Sequence, residues 1–326
     1  MGTQVSTILP TGRDESADVV RGVFAEWDRR LSRFRPDSEL SALNAAAGQT
    51  VAVSSLLFRV TWAALEAAAA TDGLFDPAML DQLAAAGYDR TFAELPADRP
   101  ADPGPAHPGG AWRGIRLDVH HRTVDLPAGA HLDFGGIAKG MAVDESLRGL
   151  AELEVTPALV EAGGDLAVVG CPAGLPAWPV GIEIDGGLRT VGLPHGALAT
   201  SSVSRRHWRT GGLEQHHLLD PRTVLPARSG VRSASVAAAS CRQAEVAAKV
   251  ALILGPDAGP AFLDRNGLTG LLVLDDGREL PVGAWTWSAP PGDEVRGAGS
   301  ATSPGATVVA GRAPMPEAGR AAGAGR

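Results

Sequence analysis

The sequence has few cysteines, few aromatic residues and no surplus of positive charge, and these shortages exclude several classes of protein. Its two cysteines, Cys171 and Cys241, lie far apart without metal-type spacing, so we expect neither a disulfide framework nor a zinc cluster. The net charge of −8 argues against sequence-independent binding of nucleic acid or of an anionic membrane, because either needs an excess of Lys and Arg.

Targeting signals and long apolar runs are also missing. Residues 1–20 contain no basic stretch followed by an apolar run and a small-residue cleavage site, and no cysteine for lipid attachment. No later window looks apolar enough to span a bilayer. We therefore expect no membrane span and a cytoplasmic location.

The chain is nevertheless apolar enough to fold, since 44% of its 326 residues are hydrophobic. Apolar residues spaced three and four apart predict a helix from Ala17 to Ser32. Ser54 and Gly73 bracket an alanine-rich run and predict the cap residues of a second helix. Between these helices, RPDSELSALN is typical of a turn that leads into a short capped helix.

Strands dominate the second half of the sequence. Residues 115–127 predict a hairpin, and later strands are predicted in ALVEAGG, DLAVVG, VRSASVAAA and TGLLVLDD. Helices return in CRQAEVAAKVALILG and GPAFLDRNG. This order predicts an α+β fold, a single domain over residues 1–290 with a mainly antiparallel sheet and flanking helices. Residues 96–112 are dense in Pro and Gly and predict a surface insertion, and the Gly/Ala/Pro-rich residues 291–326 predict a disordered tail.

The segment LDFGGIAKG could bind an anion. We expect a strand to end at Asp133 and a helix to begin after Gly135 and Gly136, with free N–H groups that suit a phosphate. Lys139 adds a positive charge in the first turn. The alternative is an ordinary strand-to-helix turn with a solvated lysine.

Two further segments contain side chains with functional chemistry. His216 and His217 are adjacent, and neighbours on a strand face opposite sides, so only one of them can point into a given site. Glu245 and Lys249 are four residues apart on a predicted helix. They form either part of a site or an ion pair worth about 0.2–0.5 kcal/mol.

Taken in order, these segments resemble the FAD:protein FMN transferases, the ApbE-like family. The similar segments are MGTQV, RFRPDSELSALN, DGLFDP, HLDFGGIAKGMAVD, LVEAGGDLAVVG, ATSS, HHLLDPRT and SASVAAASCRQAEVAAKVALILG. The resemblance extends from Met1 to about Val282.

The resemblance implies an enzyme that cleaves FAD at its pyrophosphate and transfers FMN to a Thr or Ser hydroxyl of an acceptor protein. The acceptor would carry a Ser/Thr-Gly-Ala-Thr/Ser element, and the family uses a divalent metal, usually Mg²⁺. By motif correspondence, His217 and Lys139 would be catalytic. The residues that would contact FAD are Met1, Phe34, Leu74, Phe75, Asp76, Asp133, Lys139 and Leu219.

This sequence departs from the family at the metal site. The family uses Asp and Thr oxygens with a backbone carbonyl, whereas this chain has Glu245 and Lys249, with Gly136 as the carbonyl donor. A protonated lysine has no lone pair for a hard cation. Two hypotheses follow: either the Lys249 ammonium, held by Glu245, replaces the metal, or the chain is a non-catalytic FAD-binding or FAD-hydrolysing relative. Smaller departures are Phe34, where Tyr is frequent, and Val224, where Gly is usual.

Overall fold

The computed structural model describes residues 3–96, 98–99, 109–184, 187–285 and 306–311. Its helices are α1 (Ala17–Leu31), α2 (Glu39–Ala45), α3 (Ser55–Ala70), α4 (Leu80–Ala85), α5 (Ala138–Glu152) and α6 (Cys241–Arg265). The strands of the first half are β1 (Val5–Pro10), β2 (Thr50–Ala52), β3 (Asp98–Arg99), β4 (Arg116–Asp118), β5 (Thr123–Asp125), β6 (Ala158–Ala162) and β7 (Asp165–Val169). Those of the second half are β8 (Trp178–Ile184), β9 (Gly187–Leu193), β10 (Gly196–Ser202), β11 (His207–Thr210), β12 (Leu213–His216), β13 (Leu219–Asp220), β14 (Leu225–Pro226), β15 (Val231–Ala238), β16 (Thr269–Leu274), β17 (Glu279–Val282) and β18 (Ala306–Gly311).

An antiparallel sheet forms the centre of the fold, with the strand order β17-β16-β15-β10-β7-β6-β1-β18. Helix α6 packs on β10 and β15, and α5 packs beside it on β6 and β7. Since side chains alternate along a strand, Ala158 and Val160 face this helical layer while Leu159 faces the other side, where the β8–β9 hairpin covers the sheet. The predicted α+β class with a mainly antiparallel sheet is confirmed.

Local sequence signals explain where several helices begin. The Ser54 Oγ accepts a hydrogen bond from the Leu57 N–H at 3.2 Å, which makes Ser54 the N-cap of α3 as predicted. Ser38 caps α2 in the same way, accepting from the Ser41 N–H at 3.0 Å. Helix α1 buries Val20, Phe24 and other residues of its apolar face against the core.

Helix α6 combines the two helices predicted at the end of the chain, which meet at Gly255 with a φ of +85°. By length and composition α6 could cross a membrane, so the expectation that no window is apolar enough was wrong on that criterion. In the folded chain, 56% of the most apolar 18-residue stretch of α6 is buried. An apolar helix that packs on a sheet satisfies the same pattern as a membrane span, and this one carries Glu245 and Lys249.

Other segments differ from the sequence-based expectations. The predicted strand ending at Asp133 is wrong, because residues 131–134 are irregular and Leu132 exchanges two hydrogen bonds with the Asn44 side chain. Within the predicted insertion, Asp98–Arg99 pairs in parallel with β11. Within the predicted tail, residues 306–311 pair with β1, and its other residues lie outside the described part of the chain. The domain boundary at residue 290 stays a prediction.

Candidate active site

A cleft, partly open to solvent, lies where α6, the irregular segment before α5, the chain around residues 74–83 and the chain between β12 and β14 meet. It is lined by Leu74, Phe75, Asp76, Met79, Leu83, Asp133, Gly136, His217, Leu219, Pro221 and Lys249. Eight of these residues are among those that the resemblance assigns to FAD, catalysis or metal binding. Four separate sequence segments therefore converge on one concave surface, as expected for a ligand site.

The wall formed by residues 74–76 is fixed by hydrogen bonds to its backbone and to Asp76. The Phe75 N–H donates to the Thr71 Oγ1 at 3.1 Å. The Asp76 carboxylate accepts from the N–H groups of Ala78 at 2.8 Å and Gly110 at 2.6 Å. Burial raises the pKa of Asp76, and these two hydrogen bonds oppose the rise. Asp76 thus ties the cleft wall to the end of the predicted insertion.

Asp133 also lines the cleft and is positioned by three contacts. Its N–H donates to the Pro77 carbonyl at 2.8 Å, and its carboxylate accepts from the Gly135 N–H at 3.0 Å. The Arg33 guanidinium lies 3.6 Å from the same carboxylate, and its side chain is only 6% exposed. Paired charge and hydrogen bonds of this kind hold a partly buried carboxylate in place.

Phe34 does not line the cleft but supports it from behind. The Arg33 guanidinium lies 4.2 Å from the centroid of the Phe34 ring. Phe34 packs against a buried cluster that includes Met79, Leu83 and Leu219, three of the lining residues. Its role in FAD binding stays a prediction, and Met1 lies outside the described residues.

Of the two adjacent histidines, His217, which directly follows β12, lines the cleft and His216 does not, so only one of them faces the site as expected. The His216 ring lies 3.1 Å from the Ala227 carbonyl oxygen. The Nδ1 of His217 is buried without a hydrogen-bond partner in the described part of the chain. Burial, reinforced by the positive charges of Arg206 and Lys249, lowers the pKa of His217 to about 3. His217 is therefore a neutral imidazole at neutral pH.

Lys139 lies in the first turn of α5, as predicted, but it is not among the residues that line the cleft. Its ammonium pairs with the buried Asp165 and lies 3.2 Å from the buried Glu245. The second Glu245 oxygen accepts from the Gly140 N–H at 2.7 Å. We predicted that free N–H groups at the start of α5 would suit a phosphate. For Gly140 this prediction is wrong, because its N–H group donates to a carboxylate. The catalytic and FAD-binding roles of Lys139 stay predictions.

Lys249 reaches the cleft from α6. Its Nζ lies 5.4 Å from the centroid of the Phe75 ring and close against Gly136. Burial lowers the pKa of Lys249, and the negative charges of Glu245 and Asp133 oppose that shift. No salt bridge joins Lys249 to Glu245 among the described residues. The ion pair expected along the helix is therefore absent between these two residues, and Glu245 does not hold the Lys249 ammonium in place.

The donor set does not fit the divalent metal that the resemblance implies. Both Glu245 oxygens are engaged by Lys139 and Gly140, and the ammonium of Lys249 has no lone pair. Across the described ranges there is no group of three or more His, Cys, Asp or Glu side chains that could hold a metal ion.

The two helices that contribute to the site are joined at their ends. The Asp144 carboxylate, on α5, accepts from the N–H groups of Cys241 at 2.7 Å and Arg242 at 3.0 Å, the first residues of α6. The Ser240 Oγ accepts from the Gln243 N–H at 3.2 Å. These contacts satisfy N–H groups that a helix leaves unpaired at its start.

Sequence reasoning missed several residues of the site. Met79, Leu83 and Pro221 line the cleft, and Arg33, Asp144 and Asp165 position residues around it. Arg33, Asp144, Asp165 and Pro221 lie inside the segments that carry the resemblance, so their proximity to assigned residues was a usable signal. Met79 and Leu83 follow the DGLFDP segment and have no chemical signature of their own.

Comparisons with known proteins identify the family of this chain. The model of the ApbE family matches residues 1–272. The FAD:protein FMN transferase of Treponema pallidum is 30% identical over 270 residues, which cover 76% of this chain and 74% of that protein. That of Rhodobacter capsulatus is 30% identical over 290 residues, covering 82% of this chain and 52% of that protein. The crystal structure of the ApbE protein from Thermotoga maritima superposes with a TM-score of 0.75 at 26% identity, covering 84% of this chain and 92% of that one. The chain belongs to the ApbE family.

Proposed function

We propose that this chain is an FAD:protein FMN transferase that attaches FMN to a Ser or Thr hydroxyl of an acceptor protein. The observation that supports this proposal best is the cleft, in which eight residues assigned by motif correspondence come together although they lie in four distant segments. Family membership and relatives named FAD:protein FMN transferase support the same reaction.

In the proposed reaction, the acceptor hydroxyl oxygen forms a bond to the phosphorus of the FMN half of FAD. The bond from this phosphorus to the bridging oxygen breaks, and AMP leaves with that oxygen. His217 accepts the hydroxyl proton, and its lowered pKa keeps the imidazole unprotonated before the substrate binds. Negative charge of the bound diphosphate counters Arg206 and Lys249, so it raises the proton affinity of His217 when substrate is present.

The remaining lining residues bind and orient FAD. Leu74, Phe75, Met79 and Leu219 offer apolar and aromatic surface that suits a flavin or adenine ring. Asp76 and Asp133 offer carboxylate acceptors for N–H and O–H groups of the substrate. We further propose that the acceptor carries a Ser/Thr-Gly-Ala-Thr/Ser element whose last hydroxyl is modified.

The test is mass spectrometry of a domain bearing this element after incubation with FAD and the protein. We expect an adduct with the mass of FMN less one water, together with one AMP per adduct. His217→Gln should bind FAD but form adduct at least about a hundredfold more slowly, since general-base catalysis contributes about 10²–10⁴-fold. Absence of adduct, with an acceptor that a known transferase does modify, would reject the proposal.

A second candidate is an FAD-binding protein that does not transfer FMN. The observation that favours it is Lys249, which leaves the chain without the metal ligands that the resemblance implies. Tight FAD binding without any adduct, in Mg²⁺ and in EDTA alike, would support this candidate over the transferase.

A further inference from the structure

The charge of the cleft raises the question of what neutralises the FAD diphosphate. Asp76 and Asp133 bring negative charge to the lining, whereas Lys249 is the one lysine or arginine among the eleven lining residues of the described chain. A diphosphate that enters this cleft leaves bulk water and needs a positive partner, because an uncompensated buried charge is very costly.

The Lys249 ammonium is available for that purpose. The described residues give its Nζ no hydrogen bond and no carboxylate within salt-bridge distance, so its N–H groups are free to donate. The sequence contains one other lysine, Lys139, and that ammonium is engaged by Asp165 and Glu245. Lys139 is thus paired with carboxylates, whereas Lys249 has no such partner among the described residues and faces the cleft.

The position of Lys249 is also built into the surrounding chain. An ideal Cβ at Gly136 would lie 1.9 Å from the Lys249 Nζ and 2.8 Å from its Cε, so only glycine at 136 leaves room for the ammonium there. The centroid of the Phe75 ring lies 5.4 Å from the same ammonium. A metal ion beside the Gly136 backbone would compete with this ammonium for the same space and would be repelled by its charge.

We propose that the Lys249 ammonium is the diphosphate-binding cation of this cleft, and that the chain binds FAD without a divalent metal ion. The identity of the ligand rests on the proposed function, whereas the binding test below does not require FMN transfer.

The first test is FAD affinity, measured by flavin fluorescence at fixed ionic strength in EDTA and in Mg²⁺. We expect dissociation constants that agree within about twofold in the two buffers. Lys249→Met should weaken FAD binding by about tenfold or more, in line with loss of a charged hydrogen bond, and should leave riboflavin binding unchanged. Riboflavin lacks phosphate, so its retention also shows that the variant cleft is folded.

Arg242→Met is the matched control, because it removes a positive charge from the same helix at a side chain that is 42% exposed and not among the lining residues. It should bind both flavins as the unaltered protein does. Because the sequence has two lysines, amine-selective labelling with peptide mapping gives an independent readout. FAD in EDTA should protect Lys249 from labelling, and riboflavin should protect it far less.

The proposal is overturned if Mg²⁺ tightens FAD binding by tenfold or more, or if Lys249→Met binds FAD as tightly as the unaltered protein does. It is also overturned if FAD leaves Lys249 fully reactive. Metal-free, Lys249-dependent FAD binding without FMN transfer would support this inference while rejecting the transferase function, so the two failures can be told apart.

Discussion

The Nζ of Lys249 lies 1.9 Å from the point where a Cβ at position 136 would stand. The ammonium therefore occupies space that exists because residue 136 is glycine. Gly136 lacks a positive φ, so its backbone conformation would tolerate a side chain and the close approach of Lys249 is the constraint that remains.

Gly136→Ala should displace the Lys249 ammonium and weaken FAD binding by about tenfold, as loss of its charged hydrogen bond does. Unfolding in urea should change by less than about 1 kcal/mol, because the nearest atom belongs to the flexible end of a side chain. Gly22→Ala on α1, where a Cβ meets nothing within 4 Å, is the control and should bind FAD normally.

The double variant Gly136→Ala with Lys249→Met tests whether the two residues act together. If both changes remove the same ammonium contact, their effects on FAD affinity should not add. Additive losses would mean that Gly136 affects FAD by a route that does not involve Lys249.

Lys139→Met should destabilise the protein by about 3–5 kcal/mol at pH 7, because it leaves Asp165 and Glu245 buried without their cation. Adding Glu245→Gln should restore part of this loss, since one of the two unpaired charges is removed. Urea unfolding of the single and double variants measures both effects. A Lys139→Met protein of normal stability that binds FAD but transfers no FMN would instead support the catalytic role implied by the resemblance.

The folding stability should fall as the pH drops from about 6.5 to about 3, with His217 as one contributor. In this window the unfolded chain protonates this histidine whereas the folded chain, with its pKa lowered to about 3, does not. Acid therefore favours unfolding. His217→Gln should reduce the slope of unfolding free energy against pH by up to about 1.4 kcal/mol per pH unit, measured in urea between pH 7 and pH 4.5. Identical slopes would show that the imidazole takes up its proton in the folded state.

Val224 has a φ of +59°, a left-handed conformation that is strained for a β-branched residue. Glycine should therefore be more stable than alanine at this position by about 1 kcal/mol, the reverse of the usual order. Both variants lose the packing of the valine side chain. The difference between their free energies of unfolding in urea therefore reports the backbone strain. At the exposed Leu225, which has no positive φ, alanine should be at least as stable as glycine.

The sequence predicts those features that depend on local signals. The Ser54 cap and the apolar spacing of α1 need only neighbouring residues, and both were predicted correctly. The strand expected before Asp133 failed, because Leu132 takes its hydrogen bonds from Asn44, which is 88 residues away. Such a partner satisfies a backbone as well as a neighbouring strand does and leaves no periodic pattern.

In the site, too, local signals were predicted correctly and contacts between distant segments were not. Motif correspondence assigned eight of the lining residues, including His217, whereas alternation along a strand predicts only that one of the two adjacent histidines faces the cleft. The partner of Glu245 was assigned wrongly, because Lys249 lies four residues away on the same helix whereas the true partner, Lys139, comes from α5. Spacing along one helix identifies possible pairs, but the packing of two helices decides which pair forms.

The contact of Asp144 with the first residues of α6 has a consequence for how this chain can change over evolution. It anchors the two helices of the site to each other directly, across 97 residues of sequence. The β8–β9 hairpin lies within that interval and covers the opposite face of the sheet. Insertions, deletions or exchange of that hairpin can therefore reshape the outer surface of the protein while the distance between Gly136 and Lys249 stays the same.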